Sequence, residues 1–276
     1  MSITILCQMF LIFGILQLVY MDLNSILQKH QVQPGTTKVI DIGCVQLSAT
    51  RTREGWQLVT TDNCPDDDIH LHENSSLSDY FQTGKSNSLI IAPALPIKPL
   101  VFKGSGLNVL PGQKITLFLK IPLTFQIYFS KIQPENLLRE ITYKRLSNTW
   151  FGDADGGEPA FTLGSEYFLE FDEIKITDFE AICPVSVKNS DNENLNVQRI
   201  IIRDEFLTLY KNENKMVTSL VEIEFKGKDT IGDVDYHYSK LYNGEKQEIL
   251  AKPRNSSGKG LLKLNFHFMK TMYRTE

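Results

Sequence analysis

The chain has 276 residues, 42% of them hydrophobic and 22% charged, with a formal net charge of -4 and four cysteines. That is enough apolar material for a sizeable core; it excludes wholesale disorder and sets a prior of roughly one to two domains. There is no basic excess and no dense basic run, which argues against a nucleic-acid partner, because binding phosphates requires clustered Lys and Arg.

The first segment, Ile3 to Tyr20 (ITILCQMFLIFGILQLVY), carries no charge. Its length reaches the lower limit for a membrane-spanning helix. No Lys or Arg precedes it, no small-x-small cleavage site follows it, and no basic cluster fixes its orientation. Met21 then begins MDLNSILQKH, which reads as an ordinary protein start. Three readings stand open: translation begun upstream of the true start, an uncleaved membrane anchor, or a cleaved signal. With Met21 as the start the protein is expected in the cytoplasm. With residues 3–20 retained it is membrane-anchored through that helix.

Leu23, Ile26 and Leu27 stand at helical spacing and predict a short helix over residues 22–30, ended by Pro34-Gly35. Period-two alternation dominates afterwards. Ile40, Ile42 and Cys44 share a face, and Gly55 to Val59 reads as a strand entered from a turn. Residues 63–88 are rich in Asp, Asn, Ser and Gly and predict a long loop. Prolines 93, 96 and 99 favour an extended path at an edge or crossover. Ile115 to Ile121 and Phe125 to Phe129 read as two half-buried strands, and Pro134 to Arg139 as a helical turn. Further strand faces follow at Tyr167/Leu169/Phe171, Val185/Val187, Leu195/Val197, Ile200 to Ile202, Val221/Ile223/Phe225, Tyr236/Tyr238 and Leu262 to Phe268. Asn189 to Asn194 resembles a hairpin turn.

Many short strands with few helices predict an all-β fold of two sandwich-like antiparallel domains. Parallel α/β architecture would need helical crossovers that the chain lacks. The expected division is an apolar leader at 1–20, an N-terminal β domain at 21–133, a C-terminal β domain at 134–252, and a polar turn with a last strand at 253–276.

No two cysteines stand in the spacing that a structural zinc site uses. Cys7 lies in the leader, so Cys44, Cys64 and Cys183 are expected as unpaired thiols of a reducing compartment. Cys183 precedes Pro184 at a strand start and is expected to pack as a small hydrophobe. Nucleophile-elbow and phosphate-loop patterns are absent.

Two segments bear chemistry. The first runs Leu146-Ser147-Asn148-Thr149-Trp150-Phe151-Gly152-Asp153-Ala154-Asp155-Gly156-Gly157-Glu158-Pro159. Trp150 and Phe151 lead into glycines and carboxylates. Asp153, Asp155 and Glu158 could ligate a hard cation, or act as acid and base beside Trp150 as a sugar platform. A tight turn with solvated acids explains the same composition. The second is Asp66-Asp67-Asp68-Ile69-His70-Leu71-His72-Glu73. On a strand, His70 and His72 would share a face and offer two imidazoles to a metal. A polar exposed loop is the plainer account.

The run Leu146 to Gly152, followed by its loop of glycines and acids, resembles the family known as domain of unknown function 432. Cys183 to Asn189 and Leu195 to Tyr210 carry the resemblance further, over roughly residues 40–252. Members of that family have Gly-Glu-Leu-Cys-Tyr after the loop, whereas this chain reads Gly157-Glu158-Pro159-Ala160-Phe161. The resemblance implies no catalytic residue and no particular cofactor. It associates such chains with genes for small mechanosensitive channels, which makes a membrane protein an expected partner.

The sequence therefore favours a non-enzymatic binding or regulatory module with a protein partner and with its working surface at Trp150 to Glu158, since loops on rigid scaffolds usually carry function. One alternative is a carboxylate- or metal-assisted hydrolase acting on a sugar-like substrate. Another is a membrane-tethered accessory protein, which makes membrane contact only if residues 3–20 are retained.

Overall fold

The computed structural model describes residues 26–64, 76–144, 146–152, 155–227 and 233–255. The apolar leader, Asp153, the histidine pair His70 and His72, and the strand expected at Leu262 to Phe268 lie outside these residues.

Strands run β1 Lys29–Gln31, β2 Thr37–Ile42, β3 Val45–Arg51, β4 Gly55–Asp62, β5 Ser76–Gln82, β6 Ser88–Ala94, β7 Leu100–Val109, β8 Lys114–Pro122, β9 Thr124–Phe129 and β10 Leu137–Thr142. They continue as β11 Asn148–Phe151, β12 Glu158–Gly164, β13 Glu180–Asn189, β14 Leu195–Ile202, β15 Leu209–Asn212, β16 Lys215–Thr218, β17 Leu220–Phe225, β18 Asp233–His237 and β19 Glu248–Ala251. A single described α-helical turn, α1 Lys240–Asn243, and two 3-10 turns at Pro134–Asn136 and Asp204–Phe206 complete the inventory. The protein is all-β, as its alternating pattern predicts.

The strands form four sheets. Three have four strands, in the orders β1-β6-β9-β10, β2-β3-β4-β5 and β11-β12-β7-β14. The fourth has seven, ordered β18-β17-β13-β16-β15-β19 with β8 also paired to β13. Most ladders are antiparallel, but β12–β7, β13–β16 and β13–β17 run parallel. The chain passes between those parallel partners through intervening strands (β8 to β11, or β14 to β16) instead of the helices that sequence reasoning requires of parallel strands. Strands from both sides of residue 134 share sheets, since β7 pairs with β12 and β14, and β8 pairs with β13 over nine positions.

Alternation explains the burial. In β3 every second residue is buried, placing Val45, Leu47 and Ala49 inward. One continuous apolar cluster draws on all four sheets, including Leu47 and Trp56, Leu89 and Phe125, Phe102 and Ile202, and Leu119 and Val221. A fully buried side chain of this size contributes roughly 1.5–3 kcal/mol through removal from water. Arg51 is buried beside Trp56, and its guanidinium donates to the carbonyls of Thr52, Gly55 and Gly84 and to Asn87 Oδ1. Those acceptors offset the cost of its burial, with no carboxylate partner among the described residues.

Several local expectations need correction. Lys29 and His30 belong to β1 instead of a helix. The end of the expected loop at 63–88 contains β5, which pairs with β4 from Gly55↔Gln82 to Thr61↔Ser76. Leu77 and Tyr80 on β5 are exposed and only Phe81 packs against the core, so the strand leaves no clear apolar signature. Leu137 to Arg139 start β10, leaving only Pro134–Asn136 as the helical turn. Tyr167 to Phe171 make no ladder beyond one bridge, Phe118↔Phe168. Their rings gain burial by packing on the sheet, with Phe171 edge-on to Phe118. Asn189 to Asn194 connect β13 and β14, which lie in different sheets, so the segment is a crossover and no hairpin. Asn189 Nδ2 holds that corner by donating to the carbonyls of Val109 and Glu193.

Cys44 and Cys64 are not unpaired thiols: they form a disulfide with Cα atoms 4.7 Å apart. The cause is register. Pairing of Val45 with Asp62 brings the β2–β3 turn beside the exit of β4, a relation invisible in linear spacing. Cys183 is free and fully buried, packing as the small hydrophobe expected. No helix among the described residues is long and apolar enough to cross a membrane.

Candidate functional site

The aromatic–glycine–acid segment is a hairpin. β11 pairs with β12, Trp150 opposite Pro159 and Phe151 opposite Glu158. Gly152 has φ +101°, and a Cβ there would meet the Gly157 Cα at 2.8 Å. Only glycine fits this close return of the chain.

The hairpin is clamped from β14 and its exit. Residues 199, 201 and 203 share one face by alternation. Ile201 packs with Val101 and Ala160 in a small buried cluster that Phe151 covers. The Arg199 guanidinium lies over the Phe151 ring at 5.3 Å and donates to the Trp150 carbonyl at 2.6 Å. Arg203 forks onto Glu158, with Nη1 donating to Oε2 at 2.7 Å and Nη2 bonding Oε1. Charge-assisted bidentate pairs of this kind fix geometry strongly.

Of the predicted site residues, Trp150, Phe151 and Glu158 are therefore held on one hairpin, and Asp155 is exposed at its turn. Phe151 is a packing residue. The Glu158 carboxylate is spent on Arg203 and does not converge with Asp155 on a described cavity. Trp150 remains 45% exposed.

A second constellation lies on the other side of Arg203, where the chain turns at Asp204. A cleft of about 620 Å³ is bordered by Leu95, Gln126, Tyr128, Asp204, Leu207 and Arg254, among others. That volume falls in the range of small-molecule sites. Arg254 forks onto Glu140 at 2.7 and 3.2 Å and donates to the Leu95 carbonyl at 2.9 Å. Gln126 also bonds Glu140, and the Tyr128 hydroxyl donates to Gln126 Oε1 at 2.6 Å. The strands β9 and β10 present Gln126 and Glu140 to each other as direct partners across their ladder.

Asp204 is only 3% exposed, and its Oδ2 meets no hydrogen-bond donor among the described residues. Burial pushes its carboxyl up to about 8, against the lowering effect of its own backbone amide, of Arg254 and of the Glu205 amide; Glu205 adds a raising charge. Burial also pushes the Cys183 thiol up to about 12 and raises the Tyr236 hydroxyl above its ordinary range. Cys183 is thus an inert thiol.

Sequence reasoning missed Asp204, Arg254, Glu140 and Gln126. An Arg-Asp-Glu run after three isoleucines reads as a solvated turn, and Arg254 sits among polar residues. Only the juxtaposition of four distant segments reveals the cleft.

Residues 26–270 match the family described as protein of unknown function (DUF432), and the chain belongs to that family. No curated protein and no solved structure matches it.

Proposed function

We propose that this protein is a non-enzymatic binding module whose working surface is the Trp150 hairpin, and that its partner is a protein. One observation carries the reading: an indole 45% exposed on β11, a strand at the end of its sheet, with the hairpin base clamped by Arg199 and Arg203. A rigid exposed tryptophan supplies contact area at small entropic cost, and an open strand edge offers backbone donors and acceptors to an incoming chain. The use of Glu158 in an ion pair favours this reading over hydrolysis, which would want that carboxylate facing a substrate. A membrane protein as partner, with residues 3–20 as a tether, belongs to the same reading.

The test is capture of tagged protein from native cells in mild detergent, read by mass spectrometry. A stoichiometric partner is expected, lost on Trp150→Ala and weakened on Asp155→Ala while circular dichroism stays unchanged. Undiminished capture by both variants, or recovery of the chain alone, would overturn the assignment.

A further inference from the structure

We propose that Cys44, Cys64 and Asp62 form a redox-gated zinc site: the disulfide is its closed state, and reduction to the dithiol opens it to one thiophilic divalent ion. The proposal is independent of the hairpin reading.

The argument begins with what the backbone fixes. The β3–β4 ladder sets Val45 opposite Asp62, and the Asn63 amide continues it by donating to the Cys44 carbonyl at 2.9 Å. Cys44 therefore stands beside residues 62–64 whether or not its sulfur is bonded to Cys64. Asp62 Oδ1 accepts from the Cys64 amide at 2.9 Å, which holds the carboxylate beside the sulfurs. Gly43, at φ +61°, lets the β2–β3 turn close against Tyr143, where a Cβ would meet the carbonyl oxygen at 2.9 Å. Opening the bond between the sulfurs leaves this frame of ladder and turn in place.

Donor chemistry gives the ligand. One ligand atom from each of Cys44, Asp62 and Cys64 lies within 4.8 Å of the other two, and all three residues are half-buried. No other such group of His, Cys, Asp or Glu occurs among the described residues. The Tyr143 carbonyl oxygen lies 2.9 Å from Cys44 Sγ and 3.9 Å from Cys64 Sγ. A disulfide sulfur has no proton to donate to that oxygen. A thiol has one, and a metal held by both sulfurs could take the oxygen as a further ligand. Two thiolates and a carboxylate are a borderline-soft set with three negative charges. That set suits zinc better than calcium or magnesium, which take oxygen ligands. Cys183, fully buried and alone, offers no such set.

The redox step balances with a dithiol as reductant. Its thiolate attacks one sulfur of the bond, forming a mixed disulfide and releasing the other cysteine as a thiolate, which takes a proton from solvent. The reductant's second thiol then displaces the remaining cysteine, and the reductant leaves as a disulfide. Two electrons and two protons have passed to Cys44 and Cys64. Zinc replaces those two protons, which go to solvent. A disulfide oxidant runs the sequence backwards and expels the ion.

The experiment reduces the full chain, carrying Cys7→Ser so that one thiol pair and the buried Cys183 remain, with dithiothreitol. The reductant is removed under nitrogen and the chain titrated with cobalt, then zinc. Cobalt should give a thiolate-to-metal charge-transfer band with its end point at one ion per chain, bleached by an equivalent of zinc. The oxidised chain should give no band. Cys44→Ser should abolish it, and Asp62→Asn should weaken zinc binding by about tenfold or more in competition with a chromophoric chelator. Absence of the band in the reduced chain would overturn the proposal, as would a band that survives Cys44→Ser or a zinc affinity unchanged in Asp62→Asn. Should those variants fail to fold, the chain with both cysteines decides. Zinc must protect Cys44 and Cys64 from iodoacetamide, mapped by mass spectrometry, and alkylation at the zinc-free rate sinks the idea. Loss of the β circular dichroism signal on reduction sinks it too, because the frame would then depend on the bond.

Discussion

Arg203 and Asp204 are neighbours in the chain with opposite fates. Arg203 turns toward the Trp150 hairpin and finds both oxygens of Glu158. Asp204 is buried with one oxygen unmatched by any donor among the described residues. The first is a two-point ion pair, with Arg203 Nε alone left unpartnered, and it accounts for a carboxylate that composition marks as functional. The second is an unfinished one, in a residue that the sequence does not single out. Charge content alone cannot separate the two, because what matters is whether the fold supplies a counter-group.

The largest expected effect comes from completing what Asp204 lacks. Its carboxyl titrates at about 8 in the folded protein, against an ordinary 3.8. Between those values the folded state holds a proton that the unfolded state has lost. Stability is therefore full below pH 4, falls as pH rises toward 8, and is level above it. The ceiling on that slope is about 1.4 kcal/mol per pH unit, and water reaching the cleft keeps the true slope below it. Asp204→Asn, neutral throughout, should flatten the curve and be more stable than wild type at pH 8. Urea unfolding at pH 5 and 8 measures this; parallel curves for the two proteins would show that Asp204 is compensated in the folded state.

The pair that is complete should respond in the opposite sense. Glu158→Ala strands a guanidinium whose side chain is only 16% exposed, at an expected cost of about 2–3 kcal/mol, smaller than for a fully buried pair. Glu158→Gln keeps an acceptor and should cost about half as much. Asp155→Ala, on an exposed turn, should lie within about 0.5 kcal/mol of wild type. If Glu158→Ala proves as mild as Asp155→Ala, the pair does not hold the hairpin, and Glu158 returns to the pool of free carboxylates.

These contrasts bear on how much the sequence disclosed. Strands with one apolar face were legible, as β17 shows, because side-chain period records burial directly; β8, read as half-buried, is buried on both faces because Phe118 packs with Ile174, Ile182 and Val217. β5 was obscured because only Phe81 packs inward, with Leu77 and Tyr80 left outside and the rest of the strand held by backbone hydrogen bonding to β4. The Cys44–Cys64 bond and the Glu140–Arg254 fork join residues 20 and 114 positions apart, and only ladder register or tertiary packing brings them together. The turn was visible as a glycine-rich interruption between aromatic and proline residues, but the strands β11 and β12 on either side of it were not. Its clamp was not, since Arg199 and Arg203 flank three isoleucines and read as the polar ends of a buried strand.

An effect smaller than loss of the Glu158 pair sharpens the comparison at the hairpin tip. Gly152→Ala asks an L-residue to adopt φ +101° with its Cβ 2.8 Å from the Gly157 Cα. Strain of this kind costs about 1–2 kcal/mol, and relief would come by opening the turn. If the Arg203–Glu158 fork holds the strands together from below, the variant should lose stability by that amount yet keep near-wild-type tryptophan fluorescence. A red shift of the Trp150 emission, together with loss of the captured partner, would mean that the turn itself positions the indole. Because Trp56 is fully buried, it adds a constant background, and Trp150→Phe isolates it. An unchanged stability would mean that the tip relaxes freely, leaving the clamp alone to fix the surface on which binding is proposed.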